Sequence, residues 1–266
     1  MTEFSRMVAS PKTLVIIGGA KRIGEHCANA FTKDGWNVFL ADTDAKALAA
    51  IKDDLKDKVD TLAPSCISTN MGLNNILSGA MSTFGRVDAV CHIPKLPAAK
   101  RFSDTKLDEF EEKIIAPARS ISAAIRLFSD QMVRQMEDME PTEAKTANPS
   151  FIQVFGLGAL YGDPGTYSQH VAQSMALAAA KATTIDLAAL RIRTNAIIAV
   201  RPRAENEEPW LKKRTPLGRH SYAEEISAAA LFLAGEGGAN MTGQSIILDG
   251  GRSMLNGIYD LDRTAD

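Results

Sequence analysis

Cysteine is scarce in this 266-residue chain, and its three cysteines are scattered at positions 27, 66 and 91. An odd, dispersed set excludes a disulfide framework and offers no metal-ligand spacing. We therefore expect no metal site and a reduced, cytoplasmic environment.

Long apolar runs are also lacking. No segment reaches the roughly 18 apolar residues of a membrane span, and the first residues contain no apolar core of the length that a signal peptide needs. An excess of either charge is missing as well, because 30 Lys and Arg residues face 32 Asp and Glu residues. We therefore expect neither a membrane nor nucleic acid as a partner.

What the chain does contain is a regular alternation of strand-like and helix-like segments. Strands are expected at 14–17, 38–41, about 61–67, 87–92, 152–155, 194–200 and 245–248. Helices are expected at 24–34, at 44–58, from the end of the third strand to about 84, and at 107–140, 168–190 and 223–234. The segment 107–140 is expected as one helix or as two joined near Pro117. This alternation predicts a doubly wound parallel sheet of Rossmann type, an α/β fold. Because the linker-like stretch 140–149 reads as a surface insertion, we predict a single domain over 1–266, with its core at about 13–252.

A glycine-rich turn, Gly-Gly-Ala-Lys-Arg-Ile-Gly, follows the first strand at 18–24. Glycine lets the backbone approach a pyrophosphate, and the helix that follows presents unsatisfied N–H groups and a positive dipole end to that anion. The spacing differs from the G-x-G-x-x-G fingerprint, and turns of this kind also occur in α/β proteins without a nucleotide. The turn alone therefore leaves nucleotide binding open.

Together with later segments, this turn resembles that of the short-chain dehydrogenase/reductase family. The resemblance is greatest to the pteridine-reductase and dihydromonapterin-reductase branch, in which an arginine replaces the middle glycine, as in Gly18, Arg22 and Gly24. Further segments match in order over 13 to about 252: Phe84-Gly85-Arg86-Val87-Asp88, Ile115-Ala116-Pro117, Asp186-Leu187-Ala188, Ile192-Arg193-Thr194-Asn195, Thr242-Gly243-Gln244 and Asp249-Gly250-Gly251. The resemblance implies a homo-oligomer, a dimer or tetramer. It also implies an NAD(P)H site formed by Gly18, Lys21, Arg22, Ile23, Gly24, Asp42, Ile67 and His92.

The choice between NAD(H) and NADP(H) depends on the end of the second strand. Asp42 lies there, with Asp44 just beyond. A carboxylate in this position accepts hydrogen bonds from the ribose hydroxyls of the adenosine and repels a 2′-phosphate. Lys21 and Arg22 argue the other way, because cations beside the ribose hold a 2′-phosphate. We favour NAD(H). The alternative is that Asp42 only caps the helix that starts near Ala45.

The resemblance also locates the proton-transfer positions. The family uses a tyrosine, a lysine one helical turn later, a serine or aspartate, and an asparagine. The flanking matches Gly162-Asp163-Pro164-Gly165 and 186–195 fix the register, which places other residue types at these four positions: Gln169, Gln173, Gly156 and Ile115, respectively. A glutamine amide forms hydrogen bonds but does not exchange a proton near neutral pH. The resemblance therefore implies a dehydrogenase scaffold with replaced catalytic residues.

Three nearby side chains are candidates for an alternative proton donor, namely Tyr161, Tyr167 and His170. The other interpretation is that all three are ordinary surface or packing residues. Histidine suits acid–base work best, but residues 169 and 170 differ by about 100° around a helix, so we expect His170 to point away from the site. Two hypotheses follow. The protein reduces a pterin-like or other small carbonyl or imine substrate with a non-standard proton source, or it is an inactive relative that serves as a dinucleotide sensor or structural subunit.

Overall fold

The computed structural model describes residues 10–20, 22–200 and 214–255. It contains a seven-stranded sheet in which every pairing is parallel, in the order β3-β2-β1-β4-β5-β6-β7. The strands are β1 (Thr13–Ile17), β2 (Asn37–Ala41), β3 (Val59–Leu62), β4 (Ala89–His92), β5 (Ser150–Gly156), β6 (Arg193–Ala199) and β7 (Ser245–Leu248). The predicted doubly wound parallel sheet is confirmed.

Helices connect successive strands on both faces of the sheet. They are α1 (Ile23–Lys33), α2 (Ala45–Leu55), α3 (Asn70–Phe84), α4 (Leu107–Glu109), α5 (Ala116–Glu137), α6 (Pro141–Thr146), α7 (Tyr167–Ala182), α8 (Thr184–Ala189) and α9 (Ala223–Ala234). The insertion predicted at 140–149 contains α6. No helix within the described ranges is long and apolar enough to cross a membrane.

Alternate residues of each central strand supply two separate cores. Val15, Val90 and Phe151 pack toward α3, α5 and α7, whereas Leu14 and Cys91 pack toward α1, α2 and α9. Strands that are covered on both faces read as continuous apolar runs, which is why the parallel sheet is visible in the sequence.

Several boundaries differ from the sequence expectation. The expected helix 168–190 is two helices, α7 and α8, and proline residues lie at two further boundaries. The third strand was expected at about 61–67, but β3 ends at Leu62, two residues before Pro64, which has no N–H to donate to a strand ladder. The long segment 107–140 is divided, as the two-helix alternative has it. A π-helical turn, Phe110–Ile114, separates α4 from α5, and Pro117 lies in the first turn of α5, where proline is tolerated.

The strand order changes direction at β1, which lies between β2 and β4. Ile17, at the carboxyl end of β1, is in register with Ala41 of β2 and His92 of β4. In open α/β sheets, ligands bind in the crevice outside the carboxyl ends of the strands at such a switch point. The fold therefore directs attention to the loops that follow these three residues.

Candidate functional site

The glycine-rich loop leaves β1 at this crevice. Gly18 and Gly19 have φ values of 85° and 74°, in the left-handed region that glycine adopts without steric cost. The Gly18 N–H donates to the Ala41 carbonyl at 2.8 Å. A Cβ at residue 18 would lie 2.4 Å from the Ile93 carbonyl oxygen. The loop is thus held against both β2 and the chain that follows β4, and residue 18 has room only for glycine.

The N-terminus of α1 faces the same crevice. The Gly24 N–H donates to the Gly19 carbonyl at 2.6 Å, which closes the loop, and Ile23 is buried in the core beside it. Arg22 is the N-cap residue, and its side chain forms no cap hydrogen bond. The first N–H groups of a helix lack intrahelical partners and favour an anion. Lys21, expected to contribute here, lies outside the described residues.

Asp42 follows β2 and is half-buried beside the loop. Its Oδ2 accepts a hydrogen bond from the Ala20 N–H at 3.0 Å, and its Oδ1 accepts one from the Asp44 N–H at 3.1 Å. The alternative that Asp42 caps α2 is wrong, because Asp44 is the N-cap and accepts from the Ala47 N–H at 3.0 Å. Asp42 instead ties the glycine-rich loop to the end of β2.

His92 and Ile67 line a second part of the crevice. His92 is buried, and its Nε2 lies 3.3 Å from the Ser120 hydroxyl oxygen. Burial lowers the pKa of His92 to about 4, so its imidazole is neutral near pH 7. Together with Ser120 and Lys95, both residues line a cavity of about 450 Å³, which is within the size range of small-molecule sites.

Gln169 and Gln173 lie one helical turn apart on α7 and face the end of β5. The buried Gln173 accepts a hydrogen bond from the Gly156 N–H through Oε1 at 2.7 Å and donates from Nε2 to the Gln169 carbonyl at 3.3 Å. Gln169 donates from its Nε2 to the Pro97 carbonyl at 3.0 Å. Both amides therefore hold main-chain groups in place.

The three predicted positions Gly156, Gln169 and Gln173 line one cavity of about 170 Å³. Ile115 does not line it. This residue lies at the junction between the π-helical turn and α5, where its N–H donates to the Phe110 carbonyl at 3.2 Å. The structure thus brings together three of the four positions.

His170 lines the same cavity, so the expectation that it points away is wrong. Its Nδ1 lies 2.8 Å from the Gly158 carbonyl oxygen. The cavity is bounded by α7 and also by the loop between β5 and α7, so a residue on the loop-facing side of α7 lines it as well. Tyr161 lies on this loop and lines the cavity, whereas Tyr167 stacks edge-on against Phe102, with ring centroids 5.1 Å apart.

The segment after β4 is fastened to the start of α7, a feature that the sequence analysis missed. Ser168 donates from its hydroxyl to the Ala98 carbonyl at 2.7 Å and accepts from the Lys100 N–H at 2.9 Å. With the bond from Gln169 to Pro97, these contacts place Leu96 in the cavity wall. No spacing signal links residues some 70 positions apart, so only the fold reveals this contact.

An arginine–aspartate cluster that lines the cavity through Asp163 and Arg252 was also missed. Asp163 is paired with Arg252 at 3.1 Å and with Arg214 at 3.2 Å. Arg252 directly follows the Asp-Gly-Gly segment that closes the last strand, but nothing in the sequence connects it to Asp163. In the part of the chain that the structure covers, no cluster of three or more His, Cys, Asp or Glu side chains is arranged to hold a metal ion.

These features define a Rossmann-type α/β protein, with a glycine-rich turn and a helix N-terminus at the switch point of a parallel sheet. A protein-family model described as enoyl-(acyl carrier protein) reductase matches residues 18–253. The chain belongs to this family, the short-chain dehydrogenase/reductases, which are oxidoreductases with an NAD(P)-binding fold.

Relatives of known activity match over nearly their whole length. A 3-oxoacyl-(acyl-carrier-protein) reductase of Thermotoga maritima is 22% identical over 250 residues, covering 90% of this chain and 97% of the relative. The 3beta-hydroxysteroid dehydrogenase 2 of Eggerthella lenta is 27% identical over 265 residues, covering 92% of this chain and 96% of that protein.

Solved structures show the same fold. A short-chain dehydrogenase from Bacillus anthracis superposes with a TM-score of 0.80 at 19% identity, covering 94% of this chain and 98% of that one. A 3-ketoacyl-(acyl-carrier-protein) reductase from Brucella melitensis, solved in complex with NADH, superposes with a TM-score of 0.77 at 24% identity, covering 91% and 98% of the two chains.

Proposed function

We propose that this protein is an NAD(H)-dependent oxidoreductase that acts on a small carbonyl or imine substrate with a proton donor other than the usual tyrosine. One observation carries the proposal: His170 lines the same cavity as Gly156, Gln169 and Gln173. Histidine is the side-chain type that exchanges protons near neutral pH. A titratable ring therefore stands beside the positions at which the family resemblance locates proton transfer.

The crevice fits a dinucleotide. At Gly18 and Gly24 two backbone segments approach each other so closely that a Cβ would clash. The N-terminus of α1 offers N–H groups to a pyrophosphate. A nicotinamide dinucleotide, when bound, supplies or accepts the hydride. The chain's own residues bind it, orient the substrate and deliver the proton.

The two glutamines act in positioning. With both amides committed to main-chain groups, Gln169 and Gln173 hold the cavity wall in place of the replaced tyrosine and lysine. His170 must be protonated on Nδ1 to donate a hydrogen bond to the Gly158 carbonyl, because a carbonyl oxygen accepts hydrogen bonds and cannot donate them. Proton exchange with the substrate therefore falls to Nε2.

Replacing His170 by glutamine is expected to slow substrate reduction by about 10²- to 10⁴-fold, the usual contribution of a general acid or base. NADH oxidation would be followed with dihydropterins and small ketones as substrates, in parallel with NADH titration by calorimetry. Tyr167→Phe is the matched control, because this ring packs on Phe102 rather than in the cavity. An unchanged rate in His170→Gln would exclude this ring as the proton source.

We propose that the protein prefers NAD(H) to NADP(H), because Asp42 lies beside the glycine-rich loop. Replacing Asp42 with asparagine removes the charge that would repel a 2′-phosphate, so the affinity ratio should shift toward NADPH by about 10-fold or more. Calorimetric titration with both cofactors measures the shift. Asp44→Asn is the control, since this neighbouring carboxylate caps α2. Tighter binding of NADPH than of NADH by the unmodified protein would contradict the proposal.

A second function is favoured by the same glutamines. Because neither amide exchanges a proton, the protein would be an inactive dinucleotide-binding relative that works as a sensor or structural subunit. NADH binding without turnover of any substrate in the panel would support this alternative over the first.

Finer features of the proposal rest on the sequence. Arg22 between Gly18 and Gly24 supports the pteridine-reductase branch and hence a pterin-like substrate. We also propose association as a homodimer or homotetramer, a cytoplasmic location in view of the three unpaired cysteines, and a one-domain organisation.

A further inference from the structure

Cys66 lies in the loop between β3 and α3 and lines the 450 Å³ cavity together with His92. The residue is half-buried, whereas the other two cysteines of the chain, Cys27 and Cys91, have no exposed surface. Cys27 is unreactive for a second reason, because its hydrogen bond with Cys91 and its burial raise the pKa of its thiol. A reagent that enters the cavity therefore reaches the sulfur of Cys66 and neither of the others.

The surroundings of the Cys66 sulfur favour its thiolate form. Sγ lies 3.1 Å from the Ser68 hydroxyl oxygen. The hydrogen bond from this hydroxyl lowers the pKa of the Cys66 thiol, and so do the main-chain N–H groups of Ser68 and Thr69. The charge of Lys95 acts in the same direction, and burial acts in the opposite one. Thr69 is the N-cap of α3, so the sulfur also lies at a helix N-terminus, where a negative charge is stabilised.

His92 gives the cavity a buried polar atom that is open to a ligand. The residue is 1% exposed, and its Nε2 lies 3.3 Å from the Ser120 hydroxyl oxygen. Its Nδ1 is buried and has no hydrogen-bond partner among the residues that the structure describes. A buried polar atom without a partner is costly, and a ligand that forms a hydrogen bond with it removes that cost. The cavity thus combines a nucleophilic sulfur with an unfilled hydrogen-bonding position.

We propose that Cys66 is a modification site, at which a low-molecular-weight disulfide exchanges to leave a polar thiol bound covalently in the 450 Å³ cavity, with a hydrogen bond to His92. The Cys66 thiolate attacks one sulfur of the disulfide, so that a new S–S bond forms and the original one breaks. The leaving thiolate takes up a proton from water, which balances the proton that Cys66 gave up. The disulfide is the oxidant, and the reaction needs no other. The site therefore responds when the pool of small thiols around the protein becomes oxidised.

Oxidised glutathione is the probe for the first test, with the full chain and peptide mass spectrometry at pH 6. We expect native Cys66 to react about 3-fold faster or more than the same cysteine in the urea-unfolded chain. Each unit by which the pKa falls raises the thiolate fraction about 10-fold and lowers nucleophilicity about 3-fold. Cys27 and Cys91 should react only after unfolding. A native rate for Cys66 at or below its unfolded rate would overturn the proposal, and this comparison needs no variant.

Variants of the loop separate a tuned thiol from one that is merely accessible. Ser68→Ala removes the hydroxyl beside the sulfur and should slow the native reaction by about 3-fold. Ser65→Ala is the matched control, because this exposed serine of the same loop does not line the cavity. Equal rates in Ser68→Ala and Ser65→Ala would contradict the tuning of Cys66 by its neighbour.

The role of His92 is tested at equilibrium rather than by rate. In mixtures of reduced and oxidised glutathione, His92→Phe should lower the equilibrium constant for the adduct several-fold, which is roughly the worth of one hydrogen bond. Ser120→Ala, which removes the partner of Nε2 and keeps Nδ1, should lower it less. An equilibrium constant that does not change in His92→Phe would refute the contact between the bound thiol and His92.

The modification site adjoins the proposed dinucleotide crevice. Ile67 lines the cavity, and its Cδ1 lies 3.4 Å from a Cβ built at Gly18. An adduct in the cavity should therefore weaken NADH binding by about 10-fold or more, and dithiothreitol should restore it. In Cys66→Ser, oxidised glutathione should not change the NADH affinity. This consequence rests on the proposed function, whereas the exchange at Cys66 does not.

Calorimetry of the modified and unmodified protein keeps the two claims apart. Fast exchange at Cys66 in a protein that does not bind NADH would refute the oxidoreductase and keep the modification site. NADH binding with no faster exchange in the native protein would refute the modification site and keep the oxidoreductase. Equal NADH affinity with and without the adduct would refute the link between them.

Discussion

Replacing Gly18 with alanine is expected to lower the free energy of unfolding by about 3 kcal/mol. Two costs add up. An alanine at φ 85° pays about 1 kcal/mol for the left-handed backbone. Its Cβ would also lie 2.4 Å from the Ile93 carbonyl oxygen, and such an overlap with backbone costs about 1–3 kcal/mol when the structure has to shift. The displaced loop should also weaken dinucleotide binding.

Gly35→Ala is the matched control for this variant. Gly35 has a φ of 89°, but nothing lies within 4 Å of a Cβ built there, so only the backbone cost of about 1 kcal/mol remains. Urea denaturation of both variants measures the difference, about 2 kcal/mol. Equal destabilisation would mean that the loop yields easily to a side chain, which would contradict the close fit of Gly18 against the chain after β4.

The second large effect is expected when Arg193 is replaced with methionine, which should lower the free energy of unfolding by about 3 kcal/mol or more. Arg193 is a buried residue of β6, and burial lowers the pKa of its guanidinium. Its Nη1 donates to the carbonyls of Leu233 and Gly238 at 2.6 and 2.9 Å, and its Nε donates to Asn148 Oδ1 at 2.6 Å. Methionine keeps much of the apolar stem but leaves the buried Leu233 carbonyl without this donor, at about 1–3 kcal/mol. It also removes the charged hydrogen bonds to Asn148 and to Gly238, whose carbonyl keeps the Met241 N–H at 2.9 Å.

Arg126 provides the control for Arg193, because it lies exposed on α5 and its replacement by methionine should change stability by no more than about 0.5 kcal/mol. Arg193→Lys should recover only part of the loss, since an ammonium cannot span the same set of carbonyls. Chemical denaturation gives all three values. A small loss in Arg193→Met would show that water replaces the guanidinium at the end of α9.

The large prediction errors came from contacts between distant segments. The parallel sheet, the glycine-rich turn and helix 223–234 could be anticipated, because apolar periodicity and glycine spacing are local properties. The sequence also contains Ser168, Asp163 and Arg252, but their partners are far away along the chain. The orientation of His170 was predicted wrongly, because helical geometry alone does not say that the loop after β5 folds over that side of α7.

The sequence by itself determined the fold class and the family. These follow from short-range patterns that any chain of this family must repeat to form the sheet and its first turn. Only the tertiary structure decided that Asp42 bonds the glycine-rich loop instead of capping α2, that His170 shares a cavity with the glutamines, and that two arginines surround Asp163. Each of these depends on which side chains the helical crossovers bring to one edge of the sheet. No local sequence pattern encodes which distant residues meet there.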